Sequence, residues 1–368
     1  VTGLLVHEWI EASGGAEQVL EAMARAFPGA DIQCLWDDAP RRFADRRVFE
    51  TWLARTPLRR HKALALPFTT AVWRRLRARE DYDWMLVSSH LFAHHARLSG
   101  HDVPKFVYAH TPARYIWNPE LDQRGDRAVV RAVSPMFRRL DRRRAQEATA
   151  IAANSAFVRD RIATAWERDA VVIHPPVAVD RVRATADWRN AVTDDSERRV
   201  LDDLPESYVL GASRFIPYKR LDLVIRAAEK AGRPAVIAGR GPEGAHLRTL
   251  AATARVPVRI VESPSDAMLY ALMQRAGVFV FPPVEDFGIV VVEAQAAGAR
   301  VVTGPVGGQV EAIEPGVSGV IAASADVADL AVAIETALGM VPFDAAAVTA
   351  RFREERFADS IRAFVGAT

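Results

Sequence analysis

The stretch Phe279-Val-Phe-Pro-Pro-Val-Glu-Asp-Phe-Gly-Ile-Val-Val-Val-Glu-Ala-Gln-Ala-Ala-Gly298 constrains the fold more than any other part of this chain. Val278 to Phe281 is an apolar, β-branched and aromatic run, and Pro282-Pro283 must end it because proline lacks a ladder donor and fixes its own φ. A loop carrying Glu285 and Gly288 follows. Ile289 to Val292 is β-branched, and propensity alone assigns it to a strand, whereas Glu293-Ala-Gln-Ala-Ala-Gly298 reads as a helix closed by a glycine. A strand, a loop and a helix in succession make the repeating unit of an α/β sheet, and strands alternate with helices on both sides of this one.

With 368 residues, 50% of them hydrophobic, the chain can bury a large core and is long for one domain. No repeat of solenoid length is present. Two doubly wound, Rossmann-like α/β domains facing across a cleft are expected, the first over residues 1–173 and the second over 208–349. Residues 174–207 form the linker between them, since Asp180 to Leu204 is polar, charged and without period. A terminal helix covers 350–368.

In the first domain, strand Gly3 to His7 leads into Ile10-Glu-Ala-Ser-Gly-Gly-Ala-Glu-Gln-Val-Leu20. Gly14 and Gly15 permit close backbone approach, and Val19, Leu20, Met23 and Phe27 recur at helical spacing behind them. Such a pair is often only a turn, but it could admit a phosphate. Further on, the strand Lys105-Phe-Val-Tyr-Ala-His110 delivers a histidine to its C-terminal end before Thr111-Pro112 break it, which is where ligands gather in open α/β sheets. The His94-His95 pair has no comparable context. Asp81-Tyr-Asp-Trp84 directly precedes the apolar run Met85 to Ser88, so it reads as a turn and not as a metal site, which would need further converging oxygens. Ser155 is placed to cap the helix that follows Asn154.

Arg41 to Arg79 is a basic zone. Phe68, Val72, Trp73 and Leu76 fall on one helical face within it, with arginines on another, which reads either as a basic amphipathic helix on anionic headgroups or as a solvated face over a core stripe. The whole chain carries a formal charge of only +2, which does not suggest a nucleic-acid binder.

The second domain opens on Tyr208-Val-Leu-Gly-Ala-Ser-Arg-Phe-Ile-Pro-Tyr-Lys-Arg220. Arg214 and Lys219, separated by a short loop, can both reach one pyrophosphate, the guanidinium as a planar fork and the ammonium as a point charge. Strand Pro234 to Ala238 then leads into Gly239-Arg-Gly-Pro-Glu243. Gly239 and Gly241 do not make a dinucleotide fingerprint, because the third glycine is out of place and no acidic ribose partner follows. The strand Arg259-Ile-Val-Glu262 ends at Ser263.

Glu285 and Glu293, a glutamate followed after seven residues by a second, resemble the mark of the retaining nucleotide-sugar glycosyltransferases of family four, which have the GT-B fold. The resemblance spans nearly the whole chain, weakest over Arg41 to Arg79 and the linker, and it decides for a helix from Ile289 onward. It implies that Glu285 touches the donor sugar's hydroxyls and that Glu293 accepts from the nucleotide ribose. The backbone of Phe287, Gly288, Ile289 and Val290 then meets the diphosphate at a helix N-terminus, where free N–H groups and the dipole favour an anion. By the same resemblance Arg214 and Lys219 hold that diphosphate, Gly14 and Gly15 form the N-terminal glycine loop over it, Gly239, Gly241 and Ser263 lie by the nucleotide, and the terminal helix crosses back onto the first domain. His110-Thr-Pro-Ala-Arg-Tyr-Ile-Trp117 is similar to the signature of a subgroup with many mannosyltransferases of bacterial surface polysaccharide. His110 is then the residue that binds the donor sugar and reaches the reaction centre.

The expected activity is transfer of a hexose, mannose from GDP-mannose, to an acceptor hydroxyl of a sugar or lipid-linked sugar, with retention. A UDP- or dTDP-sugar donor, an epimerase or phosphorylase on the same fold, and a binding module without turnover are the alternatives. No cofactor and no metal are expected, because Arg214 and Lys219 supply the charge at the diphosphate. A single cysteine, Cys34, and an opening directly on a strand fit a cytoplasmic protein. Peripheral contact with the inner face of the plasma membrane goes with the basic zone.

Overall fold

The computed structural model describes residues 2–117 and 128–366. The chain divides into two compact units, Val1–Pro176 with Glu354–Thr368, and Val177–Arg353.

In chain order the strands of the first unit are β1 (Gly3–His7), β2 (Asp31–Cys34), β3 (Val48–Glu50), β4 (Leu76–Arg77), β5 (Trp84–Ser89), β6 (Leu98–Ser99), β7 (Lys105–Ala109), β8 (Ala150–Ala153) and β9 (Val171–Val172). Seven of them form one sheet in the order β3-β2-β1-β5-β7-β8-β9, and β4 pairs with β6. Every ladder is parallel, so helices cover both faces and the central strands are apolar throughout. Leu4, Val6, Val87 and Val107 face one core while Leu5, Leu86, Phe106 and Tyr108 face the other. The chain's last helix, Glu354–Gly366, completes the second core with Phe357, Ile361, Phe364 and Val365, spaced for one helical face. The rings of Phe106 and Phe364 meet edge-on at 5.5 Å, and those of Tyr108 and Phe357 at 5.7 Å.

The second unit contains β10 (Val209–Ala212), β11 (Ala235–Gly239), β12 (Val258–Glu262), β13 (Val278–Phe281), β14 (Arg300–Thr303) and β15 (Gly319–Ile321). They form one parallel sheet in the order β12-β11-β10-β13-β14-β15, again with two cores. After β13, the helix begins at Ile289 and runs to Ala296, then ends on Gly298 at a φ of 94°, where a side chain would be strained. Val291 and Val292 overcome their β propensity by being buried in the core.

Two expectations need correction. Residues 177–207 are not a structureless linker. They form helices Val179–Ala184 and Asp195–Asp202 with a 3-10 turn at Trp188–Ala191, and they belong to the second unit. Trp188 donates from Nε1 to the carbonyl of Val182 at 2.8 Å, and its ring lies 4.7 Å from that of Tyr270. Each of these elements is short and contributes one or two buried side chains, so no period marks it in the sequence. Nor is there a basic amphipathic helix in the Arg41 to Arg79 zone. The helix there, Lys62–Trp73, stops before Arg74, and Leu76 lies on β4. Val72, Trp73 and Leu76 are buried, but Phe68 is exposed. Several of the arginines are instead matched by carboxylates from neighbouring strands, loops and helices: Arg42 with Glu21, Arg47 with Asp31 and Glu80, Arg59 with Asp38, and Arg74 with Glu147.

Candidate active site

In the second unit the expected residues gather at the C-terminal ends of β10, β11, β12 and β13. The loop after β10 is tied to the loop after β11: Ser213 N donates to Ala238 O at 3.1 Å, Phe215 N to Arg240 O at 2.7 Å, and Glu243 N to Phe215 O at 2.9 Å. Gly239 and Gly241 make this possible. A Cβ on Gly239 would stand 1.8 Å from Ser213 O, and one on Gly241 2.5 Å from Phe215 O. Both also have left-handed φ values, 143° and 150°. Ser263 donates from its backbone to Gly239 O at 2.9 Å and holds a left-handed φ of 52°, so the loop after β12 joins the same assembly.

Lys219 and Glu285 form an ion pair, with Nζ 2.6 Å from Oε1 and side chains only 11% and 13% exposed. Nζ also lies 5.4 Å from the Phe281 ring and 5.2 Å from that of Tyr218, whose hydroxyl oxygen accepts from Arg214 at 3.2 Å. Tyr218 therefore links the two cations. Glu285 is positioned through its backbone: its N–H donates to Gln309 Oε1 at 3.1 Å, and its carbonyl accepts from Gly308 N at 2.7 Å. Gln309 is itself buried and donates from Nε2 to Val306 O at 2.6 Å. Gly288, at a φ of 82°, then opens the helix without a side-chain cap, which leaves the first amides of that helix, those of Ile289 and Val290, without intrahelical partners. Phe287 is buried against Phe352 at a ring separation of 5.5 Å, so only its backbone can serve a ligand. One turn on, Glu293 accepts from the Tyr270 hydroxyl at 3.3 Å, and loss of hydration raises its pKa above the usual carboxylate range.

The first unit holds His110, Gly14 and Gly15. A Cβ on Gly14 would meet Glu17 Oε2 at 2.1 Å, so the glycine admits a buried carboxyl whose other oxygen accepts from Glu11 N at 3.3 Å. Burial raises the Glu17 pKa. His110 follows β7 and donates its backbone N–H to Ser89 O at 2.8 Å. Its Nε2 lies 2.8 Å from Ser88 Oγ, which is 3.1 Å from His7 Nδ1. Burial, and then the nearby His90 and His7, push the His110 pKa down to about 3, so the ring is neutral at physiological pH. Beside it the fully buried Glu8 accepts from the backbone of His90, Leu91 and Ala93, at 2.9 Å for the last two, and these hydrogen bonds tie β1 to the segment after β5. His90 Nδ1 stands 3.2 Å from Glu8.

Several of these residues escaped the reading of the sequence: Glu8, Ser88 and His90 in the first unit, and Tyr218, Tyr270 and Gln309 in the second. Polar residues at the ends of two apolar strands, His7-Glu8 and Ser88-Ser89, were the available signal. The His94-His95 pair has context too. Both Nε2 atoms lie 3.0 Å from Asp141 Oδ1, while Oδ2 accepts from the indoles of Trp117 and Trp166 at 2.7 Å each. The two histidines hold the Asp141 carboxyl well below its usual range, and the contacts together tie helix Ala128–Ala145 to its neighbours. Among the described residues, His7, Glu8 and His90 and the Asp141 trio are the groups whose ligand atoms come within 4.8 Å of one another, and each carboxylate is already held by N–H donors. Asp83 accepts from Thr2 N at 2.6 Å in the turn before β5.

Residues 13–181 match Glycosyltransferase Family 4, and residues 193–346 match Glycosyl transferases group 1. The GDP-mannose-dependent alpha-(1-6)-phosphatidylinositol monomannoside mannosyltransferase of Mycolicibacterium smegmatis is 33% identical over 56% of this chain and 56% of its own length. The D-inositol 3-phosphate glycosyltransferase of Mycobacterium avium is 34% identical over 49% of this chain and 43% of its own. The chain thus spans about half the length of these curated relatives. Among solved structures, Anabaena HepE in complex with UDP-glucose superposes with a TM-score of 0.72 at 19% identity, over 100% of both chains. Sucrose-phosphate synthase from Thermosynechococcus elongatus does so at 0.71 and 17%, again over 100% of both. Two parallel α/β units, each matched by one half of the same enzyme class, place this chain in the family 4, group 1 glycosyltransferases of the GT-B fold.

Proposed function

We propose that the protein transfers mannose from GDP-mannose to a hydroxyl of a sugar or lipid-linked sugar, with retention at the anomeric carbon and without a metal ion at the diphosphate. The observation that carries this reading is the linked set of Arg214, Tyr218, Lys219 and Glu285 beside an uncapped helix N-terminus. Two cations and free amides suit a diphosphate leaving group. The transition state puts positive charge on the sugar ring and negative charge on the departing phosphate, so cations aimed at that phosphate lower the barrier. No carboxylate is assigned as nucleophile, since Glu285 is paired with Lys219 and assigned to the sugar's hydroxyls. Attack on the face the phosphate leaves, with that phosphate taking the acceptor's proton, then accounts for retention. The likeness to the mycobacterial mannosyltransferase favours GDP-mannose, while the UDP-glucose held by HepE favours a UDP-sugar as the second reading.

Thermal-shift screening of GDP-, UDP- and dTDP-sugars separates the donors, because a ligand that binds only the folded state raises Tm. Proton NMR of the first product, with chelator present, is expected to show the donor's own anomeric configuration. An inverted product, or turnover abolished by chelator and restored by magnesium or manganese, overturns the mechanism.

Peripheral contact with an anionic membrane belongs to the same proposal, on a different footing from an arginine-rich helix. Trp52, Leu64 and Phe68 are exposed, the last two one turn apart on helix Lys62–Trp73, with Arg55, Arg60 and Lys62 close by in the chain. Apolar anchors flanked by basic residues suit a headgroup region, where each basic residue contributes about 1 kcal/mol. Flotation with vesicles containing anionic lipid is expected to show binding that fades with salt and with Leu64→Ser/Phe68→Ser. Absence of binding at low salt removes this element.

A further inference from the structure

We infer that Ser88 and His7 are positioning residues that fix the His110 imidazole in the tautomer with its proton on Nδ1, so that it meets a ligand as a hydrogen-bond donor and not as a base. The three residues come from the C-terminal ends of three adjacent parallel strands. His7 is the register partner of Ser88 across β1 and β5, Ser89 is the partner of Ala109 across β5 and β7, and His110 is the next residue. Ser88 Oγ lies 2.8 Å from His110 Nε2 and 3.1 Å from His7 Nδ1.

A serine hydroxyl has one proton and can accept two hydrogen bonds. If both rings are neutral, either one donates to Oγ and the other accepts from it, or both donate and the Oγ proton needs a third acceptor. Among the described residues His7 and His110 are the partners of Ser88 Oγ, which leaves the first arrangement. Burial keeps both rings neutral, lowering the pKa to about 4 for His7 and about 3 for His110. The remaining question is the direction of the chain, and the far side of His7 decides it. His7 Nε2 is buried without a hydrogen-bond partner. Were Ser88 to donate to His7 Nδ1, the His7 proton would sit on Nε2 as an orphaned buried N–H, which proteins rarely tolerate. In the other direction the orphan is a lone pair. His7 then donates from Nδ1 to Ser88, Ser88 donates to His110 Nε2, and His110 carries its proton on Nδ1. The groups around the chain are Glu8, His90, Tyr108 and the charge of Arg42: the His90 ring is 5.6 Å from His7 and 6.3 Å from His110, and the Tyr108 ring is 5.3 Å from His110. Glu8 takes its hydrogen bonds from the backbone of His90, Leu91 and Ala93 and from the Ser89 hydroxyl, not from His7 or His110.

With Nε2 turned inward on Ser88, Nδ1 is the nitrogen left for a ligand. As an N–H it can donate to a sugar hydroxyl or to a phosphate oxygen, and it cannot remove the acceptor's proton. The catalytic consequence rests on the proposed glycosyl transfer, but the tautomer itself does not.

The test is nitrogen NMR of the full chain labelled with 15N-histidine, which reads the protonation of each ring nitrogen without turnover. Loss of the His110 signals in His110→Gln, and of the His7 signals in His7→Gln, assigns the resonances. Both rings are expected to be neutral with the proton on Nδ1 at pH 7. A proton on His110 Nε2 overturns the inference. Ser88→Ala is expected to convert His110 to a mixture of tautomers and to lower kcat about tenfold at little change in donor KM, the scale of one neutral hydrogen bond. Ser88→Thr, which restores Oγ, is expected to keep the wild-type signals and most of the turnover. If Ser88→Ala leaves the His110 signals unchanged, Ser88 has no positioning role. Should a variant fail to fold, the wild-type spectrum decides alone. A wild-type protein with the expected tautomer but no transfer would instead overturn the proposed function and leave this inference standing.

Discussion

Lys219→Ala is expected to lower kcat by about 10² or more, the scale of losing one donor aimed at developing negative charge. Lys219 is the cation best fixed for this task, with a side chain only 11% exposed and its ammonium held by Glu285 and flanked by the rings of Tyr218 and Phe281. A group already held in place needs no reorganisation when charge develops on the phosphate. Removing it also takes the ion-pair partner from a carboxylate that is only 13% exposed, which destabilises by up to about 3 kcal/mol. The two effects separate in Lys219→Ala/Glu285→Gln, where the Glu285 charge is gone as well. Denaturation of the double variant is expected to recover most of the stability, while its kcat stays at or below that of the single variant. Recovery of turnover together with stability would show that the loss in Lys219→Ala came from the disturbed Glu285 charge and not from a missing cation at the phosphate.

Glu293→Gln is expected to weaken nucleotide binding by about 1.5–3 kcal/mol, the range for a charge-assisted hydrogen bond, while leaving Tm unchanged or raising it. The two directions differ because the carboxylate costs stability in the free protein. Burial raises the Glu293 pKa, and the Tyr270 hydroxyl offsets this only in part. An acid whose folded pKa lies above its unfolded value contributes stability that is fully present below the unfolded pKa and is lost as pH rises through the folded one. At neutral pH the ionised form is therefore a net cost, which the neutral amide removes. A residue with a purely structural role would not improve stability when changed and worsen binding at once. Calorimetric titration of nucleoside diphosphate into both proteins reads the binding, and thermal denaturation reads the rest. Unchanged affinity in a folded Glu293→Gln protein would return Glu293 to the role of a buried acid with no ligand.

Much of the fold was legible in the sequence because its signals are local. Pro282-Pro283 stop β13, Gly298 closes the helix after it, Ser155 caps the helix at Ala156–Trp166 by accepting from Val158 N at 3.0 Å, and apolar runs mark buried parallel strands. Each of these follows from the chemistry of one residue or of its neighbours within a turn. The pairing of Lys219 with Glu285, the seat of Glu285 on Gln309, and the chain from His7 through Ser88 to His110 depend instead on which strands lie side by side. The same is true of Trp188, which turned an expected linker into part of the second core, and of Asp141, which gave the His94-His95 pair its role. By itself the sequence determined the principal strands and helices, two α/β units and the residue types at the strand ends. Only the tertiary structure decided which of those ends meet, because a parallel sheet joins strands about 20 to 80 residues apart through long crossovers, and no local period records that order.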